Sequence, residues 1–525
     1  MLKMYAFWAI NFMLLPVVTI NGERVTNLAR DYQVENFINH TTGTRGQLSE
    51  EKKDIQAFPE LLRSLSIGKN GPILLPDAIF LEKISRFNRE RPVTRTPFSR
   101  GSGALGFFEC KKPLLAPFTK AKVFNECGKK VKLMARFSDA LSEYGRGEVG
   151  HRTINSFTIR MYTDEGILDI ITGTTVSIAH DPFRAAAAGH ALRPNHNNIE
   201  DINSLGDWAK LVPECLLDFT MARSDYTVPN SLQAMQTLST GRFTLINGKG
   251  QPNHVLFSLK PLTKIGYIPD EEVEWINGRI PDFYTRDLFA RIERGDHPRW
   301  MLRAQIISPR REEQLDFNIF DISKIWNETD FPPIPVGVIT LNENPSNFFS
   351  TIEQVALNPA NLIPGIELGI KDYVTQSRNL IYRDSHLNRL GPNFFQLEVN
   401  KPKFLQSTVQ DGTCRQSKGP SESNYYPSIF SNLITSEEGQ ILSGRFNQTT
   451  RIRRFITLYD DNYSQVTRYW DSLDKGHQTR VAKRFSADIF KMNDSARKGI
   501  LNQLKRVGEK FYGKVVYYLE KLESQ

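Results

Sequence analysis

The sequence predicts an α+β fold: an antiparallel β core, then a connecting segment with one helix, then a small helical domain. Three observations carry this. Between about residues 95 and 340 short runs alternate apolar and polar residues, as in Val131-Lys-Leu-Met-Ala-Arg-Phe137, Phe157-Thr-Ile-Arg-Met-Tyr162 and Trp300-Met-Leu-Arg-Ala-Gln-Ile-Ile307. That is the period-two pattern of strands in a half-buried sheet. Residues 341–450 hold many Pro, Asn and Ser and few long periodic runs, whereas beyond 451 apolar positions recur at helical spacing in Val466-Thr-Arg-Tyr-Trp-Asp-Ser-Leu473 and Phe511-Tyr-Gly-Lys-Val-Val-Tyr-Tyr-Leu519.

In chain order, Lys3 precedes an apolar run from Tyr5 to Ile20, interrupted by Asn11 and Pro16 and ending at Asn21-Gly22. It reads as a secretory signal peptide over residues 1–22, too short and interrupted for a membrane span, and no membrane partner is expected. Sequons at Asn39, Asn327, Asn447, Asn462 and Asn493 suit a secreted glycoprotein, and the final Leu-Glu-Ser-Gln525 is not the peroxisomal tripeptide. Residues 22–70 are polar and mixed, and 71–94 are a Pro-rich approach to the core. At 525 residues, 40% hydrophobic and 24% charged, the chain has the composition of a large folded globular protein. Its net charge of +9 comes from Lys and Arg dispersed along the chain, which argues against a nucleic-acid partner. Four cysteines are too few to build a disulfide scaffold. Cys110 and Cys127 lie near the ends of adjacent predicted strands and could pair in an oxidising compartment; Cys215 and Cys414 could equally be buried thiols, and none has metal-site spacing.

The most informative stretch runs from Arg378 to Asn393 and places Arg378 and Tyr382 at i and i+4, on one face of a helix. A guanidinium beside a phenol favours the phenolate, a hard anion that suits ferric iron, and tyrosine is one of the proximal ligands of haem.

This segment, with Arg389 and the Arg389-Leu-Gly-Pro-Asn393 run, resembles the haem-ligating motif of the catalases. Colinear stretches extend the resemblance over roughly residues 70–520: Gly71-Pro-Ile-Leu-Leu-Pro-Asp77, Phe87-Asn-Arg-Glu-Arg91, Gly101-Ser-Gly-Ala-Leu-Gly-Phe-Phe-Glu109, Ala135-Arg-Phe-Ser138, Arg286-Asp-Leu-Phe289 and Asn358-Pro-Ala-Asn-Leu-Ile-Pro-Gly-Ile366. The resemblance implies the catalase fold, with an N-terminal arm at 23–94, a haem-binding antiparallel β-barrel at 95–340, a wrapping connection with the proximal helix at 341–450 and a helical domain at 451–525. It also implies haem b with Fe(III) ligated by Tyr382, Arg378 beside it, Arg95, Arg136 and Arg389 at the propionates, Ser138 next to Arg136, and a homotetramer. Guanidinium–carboxylate bonds suit propionates.

The opposite face departs from the family. Where the resemblance places a catalytic histidine, the proton carrier for hydrogen peroxide, the chain has Phe98, and where it places an asparagine it has Gly173. One residue is missing just beyond, so Thr172 or Thr174 could fill that spot, and Ala185 replaces a phenylalanine over the ring. A phenyl ring has no titratable proton, and general acid/base help is worth about 10²–10⁴ in rate. Among the nine histidines, His151, His180 and His190 lie closest in sequence to these distal segments, and none is assigned as a substitute base. Leu217 and Tyr226 stand where relatives that carry NADPH use a histidine and an arginine, and the basic residues expected after Trp326 are absent, so no NADPH is expected. The sequence therefore predicts a haem carrier, store or slow peroxidase, a pseudoenzyme for peroxide dismutation. Two alternatives stay open: an enzyme acting on an organic or lipid hydroperoxide in a roomier apolar pocket, and a functional catalase with a relocated base.

Overall fold

The computed structural model of the chain describes residues 78–90, 95, 97–140, 147–149, 152, 154–369, 371–403, 411–413, 415 and 461–525. Contacts divide the chain into Met1–Gln47 and Leu48–Gln525, and every described residue belongs to the second unit. The signal segment, most of the arm, His151, Cys414 and the sequons at Asn39 and Asn447 lie outside the described residues.

The strands are β1 (Gly101–Cys110), β2 (Lys130–Asp139), β3 (Asn155–Thr163), β4 (Gly166–Gly173), β5 (Thr237–Ser239), β6 (Phe243–Ile246), β7 (Pro252–Pro261), β8 (Arg299–Ile307), β9 (Ile334–Glu343) and β10 (Ile366–Leu368). All the pairings are antiparallel, and β1, β2, β3, β4, β5, β7, β8 and β9 pair in a ring that β9 closes back onto β1, with β6 and β10 as a flap on β7. An eight-stranded barrel has an interior just wide enough for side chains to fill. Here Phe137, Phe157 and Trp300 fill it, with ring centroids 4.4 Å apart for Phe137 and Phe157 and 4.8 Å for Phe157 and Trp300. The predicted strand runs lie in β2, β3 and β8, but β3 is buried along both faces rather than alternately. The reason is the connection beyond β9, which covers its outer side: the Tyr162 hydroxyl donates to the Val399 carbonyl at 2.8 Å, and Arg160 reaches the Ala356 and Val399 carbonyls. Arg160 also forms a two-pronged pair with Asp169 at 2.8 and 2.7 Å, both side chains at most 1% exposed. Cys110 and Cys127 are joined as a disulfide at the β1–β2 end of the barrel.

Helices of seven or more residues are α1 (Ala78–Arg89), α2 (Pro182–Ala191), α3 (Ile202–Leu211), α4 (Leu216–Ala222), α5 (Asp270–Arg279), α6 (Phe283–Glu293), α7 (Tyr373–Leu390), α8 (Ser464–Ser472), α9 (Lys475–Phe490), α10 (Asp494–Val507) and α11 (Glu509–Glu523). A second apolar core joins α1–α4 to α8–α11, including Trp470 stacked on Phe511 with centroids 4.1 Å apart. Buried charge fastens α9 to the rest: Asp225 takes Arg480 at 2.6 Å and Arg484 at 2.9 Å, and Arg484 also reaches Asp270 at 2.8 Å. Among the described residues no helix is long and apolar enough to cross a membrane.

Candidate functional site

A cavity of about 320 Å³ lies between the barrel and the helices α1–α4 and α7, a size suited to a buried ligand. Helix α7 supplies one wall. Its N-terminus is capped by Asp372, whose carboxylate accepts the Thr375 amide at 2.9 Å and the Arg242 amide at 2.8 Å, and its C-terminus stops at Gly391 with φ 85°, a conformation that favours glycine. Asn88 of α1 donates to the Ile381 carbonyl and to Asp384, both at 3.0 Å, which fixes the helix's rotation. Tyr382 and Arg378 consequently face the cavity together, with the Arg378 Nη2 donating to the Tyr382 hydroxyl at 2.7 Å and Nη1 donating to the Thr240 carbonyl at 2.5 Å and hydroxyl at 2.8 Å.

Three more arginines converge at one edge. Arg95 donates to the Glu353 carboxylate at 2.8 Å and to the Glu353 and Val355 carbonyls, and Arg389 donates to the same two carbonyls at 2.7 and 2.9 Å. Buried Arg136 donates to the Phe98 and Ser99 carbonyls at 3.0 and 3.1 Å. Burial pushes all three below the usual guanidinium range, helped by repulsion from Arg95 at Arg136 and at Arg389, which falls to about 9, with Glu353 opposing. Among the described residues, one carboxylate for three crowded cations, together with the buried and unpartnered Nε atoms of Arg136 and Arg389, describes a cluster short of anions. The two propionates of a haem would supply them. Ser138 lines the cavity beside Arg136.

The facing wall contains Phe98, Ile154, Ile178, Ala185, Ala186 and Gly189. Phe98 has φ 65°, rare for a bulky residue, and the Arg136 clamp on its carbonyl holds it there. At Gly173 an added Cβ would lie 2.6 Å from Ile154 Cδ1, so Ile154 fills the volume that a side chain there would need. Neither neighbouring threonine substitutes for the amide: the Thr172 hydroxyl is committed to the Phe157 carbonyl and Thr237, and that of Thr174 accepts the Asn155 amide. Of the candidate histidines, His180 is buried beside Glu214 and Asp321, and His190 pairs with Glu90 on the surface; neither lines the cavity.

Among the described residues the cavity's one histidine is His386, a turn beyond Tyr382 on α7. It hydrogen-bonds the Leu357 carbonyl through Nε2 at 2.7 Å, and burial, reinforced by Arg389, pushes it down to about 3, so it stays neutral. Sequence reasoning passed over His386, Glu353 and a buried acid, Asp218, all part of this site or its clamp. A lone acid inside the apolar run Leu216-Leu-Asp-Phe-Thr-Met-Ala222 was a readable signal; Glu353 carried none, because its partner Arg95 is 258 residues away.

The model of the catalase family matches residues 53–432. The chain belongs to the catalase family. This catalase-family chain is 30% identical over 452 residues to catalase-2 of Caenorhabditis elegans, covering 85% of this chain and 90% of that protein. It is 36% identical over 372 residues to a catalase of Methanosarcina barkeri, covering 70% and 73%. Among solved structures, catalase A from Saccharomyces cerevisiae superposes with a TM-score of 0.73 at 27% identity, covering 87% of this chain and 96% of that one. Membership implies haem and, typically, tetramers.

Proposed function

We propose that this catalase-family protein is an exported haem-b protein whose breakdown of hydrogen peroxide is weak or absent. The observation that carries this is the contrast within one cavity: Tyr382 and Arg378 are hydrogen-bonded on α7, while Phe98 stands where the family's histidine would be and Ile154 fills the space at Gly173, where the family's asparagine would be. Tyr382, as a phenolate held by Arg378, would ligate Fe(III), and Arg95, Arg136 and Arg389 would hold the propionates. When bound, the group supplies the redox chemistry of peroxide breakdown. The chain's own residues would hold the ring, but Phe98 takes no proton from peroxide and returns none.

Absorption spectra of the purified protein with and without peroxide, read beside oxygen evolution, test the proposal. Expected are a Soret band at one haem per chain, a tyrosinate-type visible spectrum and turnover about 10²-fold or more below that of a functional catalase. Turnover like that of ordinary catalases overturns it, as does absence of the Soret band.

Export, the family's homotetramer and the lack of NADPH belong to the same reading. Leu217 is only 2% exposed, which gives an outside ligand little to grip. Asn327 is exposed and suited to a glycan, whereas Asn462 is buried and accepts Lys324, so a glycosidase-sensitive mass shift should map to Asn327 and spare Asn462.

A further inference from the structure

The cavity wall contains one carboxylic acid among the described residues, Asp218 on α4. Its residue is 6% exposed and its Oδ1 is buried without a hydrogen-bond partner. Buried polar atoms are nearly always met by a partner, so an unmet oxygen on a carboxyl that lines a cavity marks a side chain whose hydrogen bonding is unfinished. The cations nearby are already engaged. Arg223 binds Asp488 at 2.7 Å and the Phe219 carbonyl at 3.1 Å, and Arg152 binds Asp270 and the Ser224 carbonyl. Burial pushes Asp218 up to about 7, opposed in part by the Thr175 hydroxyl and the charge of Arg223. The Cys215 thiol one turn back is itself pushed well up by burial and adds no charge at neutral pH. Asp218 therefore gains and loses a proton near neutrality, facing a space where Phe98 can do neither.

We propose that Asp218 is the polar pole of this cavity, binding the O–H group of an organic hydroperoxide and exchanging its proton. The proposal rests on the haem-pocket reading above and names its substrate class. In the exchange the carboxylate takes the hydroperoxide proton to give the carboxyl and a peroxide anion, ROO⁻, and the reverse returns it; no other bond changes. The organic group follows from the remaining wall. Ile178, Ala185, Ala186, Gly189 and Leu205 present apolar and mostly small side chains on the same wall, surface that hydrogen peroxide would leave wet and an alkyl or aryl group would cover.

The test uses the purified full chain as isolated, with cumyl alcohol as an unreactive probe carrying an aryl group and an O–H. Infrared difference spectra of the wild type should show a protonated-carboxyl band that fades as pH rises through about 7 and shifts when the alcohol binds. Asp218→Asn should lack the band, and Asp218→Leu should bind the alcohol about tenfold more weakly. With haem present, the wild type should consume cumene hydroperoxide about tenfold faster than hydrogen peroxide, with an inflection near pH 7 that Asp218→Asn removes. Identical infrared spectra for the wild type and Asp218→Asn, or equal alcohol affinities for the wild type and Asp218→Leu, overturn the proposal, and the near-isosteric Asn variant keeps the test valid if the Leu variant fails to fold. The Soret band of the same samples separates this failure from failure of the haem reading.

Discussion

The two walls of the cavity are built differently. The α7 wall is over-determined: Tyr382 is fixed by Arg378, Arg378 by Thr240, and the helix by Asp372 and Asn88, so the anchor's geometry rests on several independent hydrogen bonds. The facing wall is determined mostly by shape, through Ile154 pressed into the space at Gly173, short side chains on α2, and one aromatic ring whose strained backbone Arg136 holds. Hydrogen-bonded constellations tolerate little substitution, because each loss strands a buried partner, whereas apolar walls exchange one side chain for another at modest cost. A cavity made this way can keep its grip on a cofactor while its chemistry changes.

Four measurements break or sharpen the contrast. The largest effect is expected from Tyr382→Phe, which removes the anion: haem transfer to an acceptor globin should be about 10²-fold faster or more, with loss of the tyrosinate spectrum. Retention at the wild-type rate would mean that the α7 wall is not the anchor. Phe98→His should raise oxygen evolution by about 10²-fold, the lower end of what a positioned acid/base contributes, because Arg136 already holds that backbone in place. No gain would show that the distal wall lacks more than a proton carrier. Arg378→Ala leaves the phenol without its cation and should weaken haem retention about 10-fold, with a shifted visible band. The smallest effect concerns Asp218. Its folded-state value lies above the unfolded one, so its neutral form is tolerated below about pH 4, stability falls as pH rises, and the loss is complete above about 7. Asp218→Asn should therefore melt with the wild type near pH 4 and a few degrees above it near pH 8 by calorimetry.

What the sequence made legible follows the same division. The Tyr382–Arg378 pair is local, one helical turn apart, and the long strands β2, β3 and β8 announce themselves by alternation. Ring closure came only from the family resemblance and not from periodicity, since β5 is three residues long, too short for any period to register, yet it bridges β4 to β7. Glu353 and the Arg160–Asp169 pair escaped because a charge in a sequence reads as surface until its partner is known. That Gly173 is filled by Ile154 was equally invisible, a matter of volume between two adjacent strands rather than of residue type.

The closed ring also dictates the order in which the molecule can assemble. Strands β1 to β4 follow one another in the chain and can pair as each appears, but the seam between β1 and β9 joins Cys110 to Gly337 and must wait for everything between. Until then a curled sheet carries its aromatic lining with one edge unzipped, a sticky intermediate of high contact order that folds slowly and aggregates readily. Survival of the nascent protein is therefore governed by how quickly that final strand arrives, and a chaperone that shields the open edge should raise its yield more than one that speeds the early pairings.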